Sequence, residues 1–302
     1  MSGIPFVDAH VHLWDLSHLR YPWLSPPFAE DGPNGSVAAI ARDYALDDYL
    51  ADAAPWNVRG IVHVDAGADP AHAIDETVWL EGIAAQRGMP NAIVAFAPLH
   101  DPGVEAMLER QAAHPHVRGI RHIVNWHPDP RRSYTVRDLT RDAQWRAGYA
   151  LLGRYALSFD LQCYPAQMAG LAPLIARHPD VPVIVNHVGM PVASDADGVA
   201  CWRDGLRALA AIPHVAIKLS GVGFIDPAWT IDRVRPFVLE AIDLFGPQRC
   251  LFASDAPTDM LFAPFDTTLH AYRAIVADFS EDESRDLWGR NAARIYRLDL
   301  AL

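Results

Sequence analysis

Eight short apolar runs recur along the chain. They are FVDAHVH (6–12), GIVHVDA (60–66), AIVAFAPL (92–99), RGIRHIV (118–124), LSFDLQCY (157–164), VPVIVNHVG (181–189), VAIKLSG (215–221) and CLFASD (250–255). All are rich in Val, Ile, Leu and Phe, and most lack the strict polar alternation of a half-exposed strand. They predict strands of a parallel sheet covered on both faces. Between them, the segments 71–88, 103–114, 166–178, 198–212 and 234–246 carry apolar residues at helical spacing, the first ending at a plausible C-cap, Gly88. Strand and helix alternating in this way predict a (β/α)8 barrel, here as one domain over residues 1–302.

Three segments do not fit the repeat: a long loop at 13–57 after the first strand, another at 125–145 after the fourth, and DAPTDMLFAPFD after the eighth. All leave the C-terminal ends of strands, the face on which barrel active sites are built.

Polar residues inside these runs need a reason, because a buried unpaired polar group is costly. A period of two puts His10 and His12 on one side of the first strand. Arg121 and His122 lie in the fourth, Gln162 in the fifth, His187 in the sixth and Lys218 in the seventh, and Asp255 ends the eighth. Together they predict one site at the barrel mouth. Imidazole and carboxylate suit a zinc-like divalent ion, with His10, His12, His187 and Asp255 as its ligands if one is bound. Asp255 can equally take a proton from water. Arg121 and Lys218 offer charge to a substrate carboxylate or an oxyanion, and Gln162, His122 and Trp14 are further candidates for substrate contact. His122, next to Arg121, should point to the opposite face of its strand. The plainer readings are packed histidines for the HxH pair, a helix N-cap for Asp255 and structural ion pairs for the two cations.

Composition narrows the partners. A formal net charge of -12 argues against nucleic acid and anionic membranes but leaves room for a small substrate in a locally cationic pocket. No apolar run reaches the length of a membrane span, and the N-terminus lacks the pattern of a signal peptide. Three scattered cysteines, Cys163, Cys201 and Cys250, form no zinc-type spacing, so a reducing cytoplasm is expected. A homo-oligomer is compatible with the sequence.

The ordered set HxH, GIRH, VNHVGMP, KLSG and FASDAP, with RYPWL after HVHLWD, resembles the amidohydrolase superfamily, and within it the amidohydrolase-2 branch of lactonase-type hydrolases. The resemblance runs from about residue 6 to LWGRNAARIYRL. It implies a distorted (β/α)8 barrel, hydrolysis of an ester at the mouth, and water activated by Asp255. With Gln162 where metal-dependent relatives commonly place a histidine, no cofactor is expected to be required: at most one weakly held divalent ion, and turnover that survives chelation. The expected reaction is opening of a lactone of a small anionic or polyhydroxylated acid, its carbonyl polarised by His10, His12 and His187. The alternatives are a metal-dependent decarboxylase and a non-catalytic ligand-binding barrel.

Overall fold

The computed structural model describes residues 3–32 and 34–302. Its eight strands are β1 (Phe6–Val11), β2 (Val58–Val64), β3 (Ala92–Phe96), β4 (Val117–Arg121), β5 (Ser158–Leu161), β6 (Val183–Val185), β7 (Val215–Leu219) and β8 (Cys250–Phe252). They are parallel and pair in chain order from β1 to β8. Each expected apolar run supplies one. Helices Leu46–Asp52, Ala73–Arg87, Val104–Ala112, Ala143–Leu151, Pro165–Ala176, Ala196–Ala210, Ile231–Phe245 and Phe265–Ile275 follow β1 to β8 in turn. The fold is a (β/α)8 barrel.

Three of these helices lie where the sequence shows no clear helical period. Leu46–Asp52 sits inside the first long loop, and its first turn is closed by Asp48, which accepts the Ala45 N–H at 2.9 Å. Ala143–Leu151 buries only Trp145, Gly148 and Tyr149, too few positions to read as a stripe. Phe265–Ile275 follows the segment after β8 and packs Phe265 edge-on against Tyr49.

The apolar residues form two layers. A large one lies between strands and helices; a smaller one fills the barrel with Val7, Ala9, Val62, Val64, Ala92, Val94, Ile184, Ala216 and Leu251. Ala292 and Tyr296 of the closing segment join that inner cluster.

The barrel departs from regularity where β8 meets β1. Val11 pairs with Ala256, the Asp255 N–H donates to His10 O at 2.9 Å, and the His12 N–H donates to Ala256 O at 2.8 Å. Below this, the Asp8 carboxylate stands in for ladder bonds, accepting from Ser254 N–H at 2.9 Å, His10 N–H at 3.3 Å and the Tyr49 hydroxyl at 3.0 Å. Burial pushes Asp8 up to about 6 against these donors.

β1 also carries an extra residue: Asp8 pairs with Ile61 but Val11 with His63, three steps against two. This bulge changes the alternation. Val7 and Ala9 face the inner cluster and Phe6, Val11 and Leu13 the outer one, while His10 and His12 both turn inward toward the mouth. Among the described residues, no helix is long and apolar enough to cross a membrane.

Candidate active site

Each reactive side chain is held by a local backbone device. The β1 bulge supplies His10 and His12. After β6 the chain runs His187, Val188, Gly189 and Met190 with φ of 54, 53, 75 and 53°, all left-handed. After β8, Asp255 itself has φ 56°. Non-glycine residues seldom adopt this conformation, which costs about 1–3 kcal/mol each and clusters at functional sites. Gly221, at the end of KLSG, is required twice over. Its φ is +64°, and a Cβ there would lie 2.7 Å from His187 Nδ1 and 2.8 Å from His187 Cβ and Cγ.

The result is a tight cluster. His10 Nε2 and His12 Nε2 are 3.2 Å apart, and they lie 3.4 and 3.3 Å from Asp255 Oδ1. His187 Nδ1 is 3.9 Å from Asp255 Oδ2 and 3.1 Å from Ser220 Oγ. Among the described residues, neither Asp255 oxygen has a hydrogen-bond partner, although the residue is buried. Burial pushes its carboxyl up to about 8, against the pull of Arg121 and Lys218. Burial, with Arg121 next, pulls His12 down to about 3. His10 and His187 also lie well below the usual histidine range because of burial. All three imidazoles are therefore neutral, and the His12 tautomer follows from its contacts. Its Nδ1 donates to Val64 O at 2.7 Å, leaving Nε2 bare.

Over this cluster lies a cavity of about 230 Å³ lined by His12, Arg121, Gln162, His187, Asp255 and Thr258, with Trp23, Asn34, Tyr134 and Phe224 among its walls. Asn34 and Phe224 also border a wider outer vestibule of about 560 Å³ that contains Arg131 and Arg132. Tyr134 hydrogen-bonds Asn34, so the loops after β1 and β4 meet above the site.

Arg121 does not stand free. Its Nε donates to Asp65 Oδ2 at 3.4 Å, Nη1 to Gln162 Oε1 at 3.1 Å, and Nη2 to Asp65 O. Among the described residues, three of its five N–H donors are used, which leaves two for the cavity.

Not every predicted residue arrives at this cavity. His10 is fully buried beneath His12 and Asp255 and does not line it. Lys218 lies deeper still, 2.5 Å from Asp160 Oδ1, with burial pulling its ammonium down and Asp160 opposing that shift. It is out of reach of a substrate. His122, next to Arg121 on an alternating strand, turns to the outer layer. There its Nδ1 accepts from Leu99 N–H and Trp145 Nε1–H, both at 3.2 Å. Trp14 is also behind the site, its indole donating to Arg42 O at 2.6 Å; Trp23, donating to Ala66 O at 2.8 Å, is the tryptophan in the wall. Asp65 is not among the residues singled out above, although it directly follows β2 near the end of GIVHVDA. Asn34, Tyr134 and Phe224 come from loops and short turns that carry no comparable signal.

The donor set fits one divalent ion. His10, His187 and Asp255 present ligand atoms within 4.8 Å of one another. The separations of 3.2, 3.3 and 3.4 Å among His10, His12 and Asp255 match the edge of a tetrahedron with zinc–ligand bonds, about 3.3 Å. The orphaned Asp255 carboxylate is the kind of group a cation completes.

Comparison with known proteins agrees with this arrangement. The chain is 40% identical over 301 residues to an uncharacterized protein, y4mH, of Sinorhizobium fredii, covering 99% of this chain and 100% of that one. It is 29% identical over 307 residues to an L-fucono-1,5-lactonase of Burkholderia multivorans, covering 97% and 96% of the two chains. A crystal structure of an amidohydrolase from Burkholderia multivorans with bound zinc superposes with a TM-score of 0.81 at 29% identity, covering 97% of this chain and 99% of that one. The amidohydrolase family model matches residues 7–298, and with the HxH strand, His187 and Asp255 gathered at one barrel mouth, the chain belongs to that family.

Proposed function

We propose that the protein opens the lactone ring of an uncharged, polyhydroxylated sugar acid, with Asp255 as general base. The observation that selects this substrate is the pairing of Arg121 with Asp65. A guanidinium already matched by a carboxylate adds no net charge for an anionic substrate, yet its two free N–H donors still suit hydroxyl and carbonyl oxygens. Gln162, Asn34, Tyr134 and Thr258 supply further polar contacts around a cavity sized for one sugar ring. The lactonase relative supports the same reaction class.

The chemistry follows from the positions of protons. Asp255 takes a proton from water as its oxygen attacks the ring carbonyl. Arg121 and His187 face the developing oxyanion from the cavity wall. The bare Nε2 of His12 cannot donate to it, so His12 instead holds the attacking water beside Asp255. When the tetrahedral intermediate collapses, the ring oxygen leaves with the proton from Asp255, and the product is the open hydroxy acid. A divalent ion held by His10, His12, His187 and Asp255 would polarise the carbonyl and acidify water. The protein supplies its own proton acceptor and donors, so we expect turnover to persist after chelation.

The test is a panel of aldonolactones and carboxylated lactones, assayed for acid release with and without chelator. Hydrolysis of aldonolactones in preference to the carboxylated compounds is expected under both conditions. Preference for carboxylated lactones would overturn the argument from Arg121, and loss of all turnover on chelation would overturn the metal-independent route. Carbon dioxide release from an aromatic acid, with no lactone opened, would replace hydrolysis by decarboxylation.

A further inference from the structure

Lys218, Asp160 and Tyr296 form a buried cluster under the mouth that the reaction above does not use. Lys218 Nζ lies 2.5 Å from Asp160 Oδ1, 3.4 Å from His10 Nδ1 and 5.3 Å from the centre of the Tyr296 ring. The Tyr296 hydroxyl donates to the Asp160 carboxylate, 2.9 Å from Oδ1 and 3.1 Å from Oδ2. All four residues are fully buried. So placed, Lys218 acts on the reaction only through His10.

An ammonium group has three donors and no acceptor. The ring nitrogen facing it, Nδ1, is therefore the lone-pair nitrogen, and the single proton of neutral His10 resides on Nε2. His12 is the opposite case, since Val64 O holds its proton on Nδ1. The Nε2–H of His10 thus lies against the bare Nε2 of His12 at 3.2 Å and Asp255 Oδ1 at 3.4 Å. Two histidines one residue apart carry opposite tautomers because of what stands behind each ring. A histidine binds metal through a deprotonated nitrogen. For His10 Nε2 to become a ligand, its proton must move to Nδ1, directly against the Lys218 ammonium.

We propose that Lys218 is a positioning residue that holds His10 in its Nε2–H tautomer and thereby keeps the mouth a weak site for divalent metal. The proposal deepens the reading of the mouth given above. It also assigns Asp160, 2.5 Å from Nζ, the task of aiming Lys218.

The experiment is a zinc titration of chelator-stripped, full-length protein. Lys218→Met should bind zinc about tenfold tighter or more, the order by which second contacts of ligating histidines change affinity. Tyr296→Phe, which leaves the Lys218–Asp160 contact in place, should stay within about twofold of wild type. A folded Lys218→Met with wild-type or weaker zinc affinity overturns the proposal. Should that variant fail to fold, Lys218→Met combined with Asp160→Asn removes both charges and carries the same expectation. The wild type offers a second readout through long-range proton–nitrogen NMR of metal-free protein labelled at histidine, with His10 assigned by its loss in His10→Gln. A protonated Nε2 and bare Nδ1 are expected; a protonated Nδ1 refutes the assignment. Neither measurement uses a substrate, so a failed lactone panel and a failed Lys218 assignment remain separate results.

Discussion

Asp160 and Asp255 both point into the barrel and are equally buried, yet their surroundings are opposites. Asp160, on β5, has Lys218 at 2.5 Å and the Tyr296 hydroxyl on both oxygens. Asp255, at the mouth, has no hydrogen-bond partner on either oxygen among the described residues. A buried carboxylate with a complete set of partners is part of the scaffold. One left without partners keeps a high proton affinity and an open coordination position, which is what a base or a ligand needs. Burial by itself does not separate the two.

The sharpest way to break the comparison is to neutralise the mouth. Asp255→Asn should lower kcat/KM for the best lactone by about 10²–10⁴-fold, the usual contribution of a positioned base. Its thermal midpoint should stay at or above wild type, because the substitution removes an unpartnered buried acid. A variant that keeps wild-type turnover would place the base elsewhere. One that loses both turnover and stability would make Asp255 a scaffold residue like Asp160.

The matching change below the mouth should act on folding instead. Asp160→Ala leaves Lys218 buried without its partner, which costs about 3–5 kcal/mol in comparable buried pairs. Chemical denaturation would measure this directly. Adding Lys218→Met should recover most of the loss, since it removes the uncompensated buried charge. If Asp160→Ala were as stable as wild type, the pair would contribute nothing to the scaffold and the contrast with Asp255 would fail.

How much of this was legible in the sequence depends on which geometric variable each residue obeys. The alternation of strands identified the inward face, and it placed Arg121 inside and His122 outside. It also put His10 and His12 together, though Asp8, two residues before His10, turned out on the other side. The extra residue of β1 exists only relative to its pairing with β2, and no local pattern in FVDAHVH reveals it. Height along the barrel axis is equally hidden, because it is set by the stagger between strands. Lys218 and Gln162 both read as inward polar groups. One proves to be in the floor beneath His10 and the other in the cavity wall. Asp65 is different: an acid directly after a buried strand is a signal close to the one that singles out Asp255, and it is open to the same argument. The choice of Trp23 over Trp14 for the wall belongs to a loop conformation that residue spacing does not encode.

A smaller change reaches the mouth from the side through Gly221. Its left-handed φ of +64° already disfavours any side chain, and a Cβ there would press on His187 at 2.7–2.8 Å. The obstacle is an imidazole ring whose own backbone is left-handed over four consecutive residues, so it has little room to withdraw. Gly221→Ala should therefore displace His187 from the cavity wall while leaving Asp255, on the neighbouring strand, in place. The expected loss is about tenfold in kcat, since a polarising group moved out of line weakens the transition state more than substrate binding. KM should change less. The strain of an alanine at positive φ adds a destabilisation of about 1 kcal/mol, visible as a small drop in the denaturation midpoint. Wild-type kcat in this variant would show that His187 does not face the reacting carbonyl, and the oxyanion would then rest on Arg121 alone. A rise in KM with kcat unchanged would instead make His187 a binding group, and the contrast between floor and mouth would narrow to Asp255.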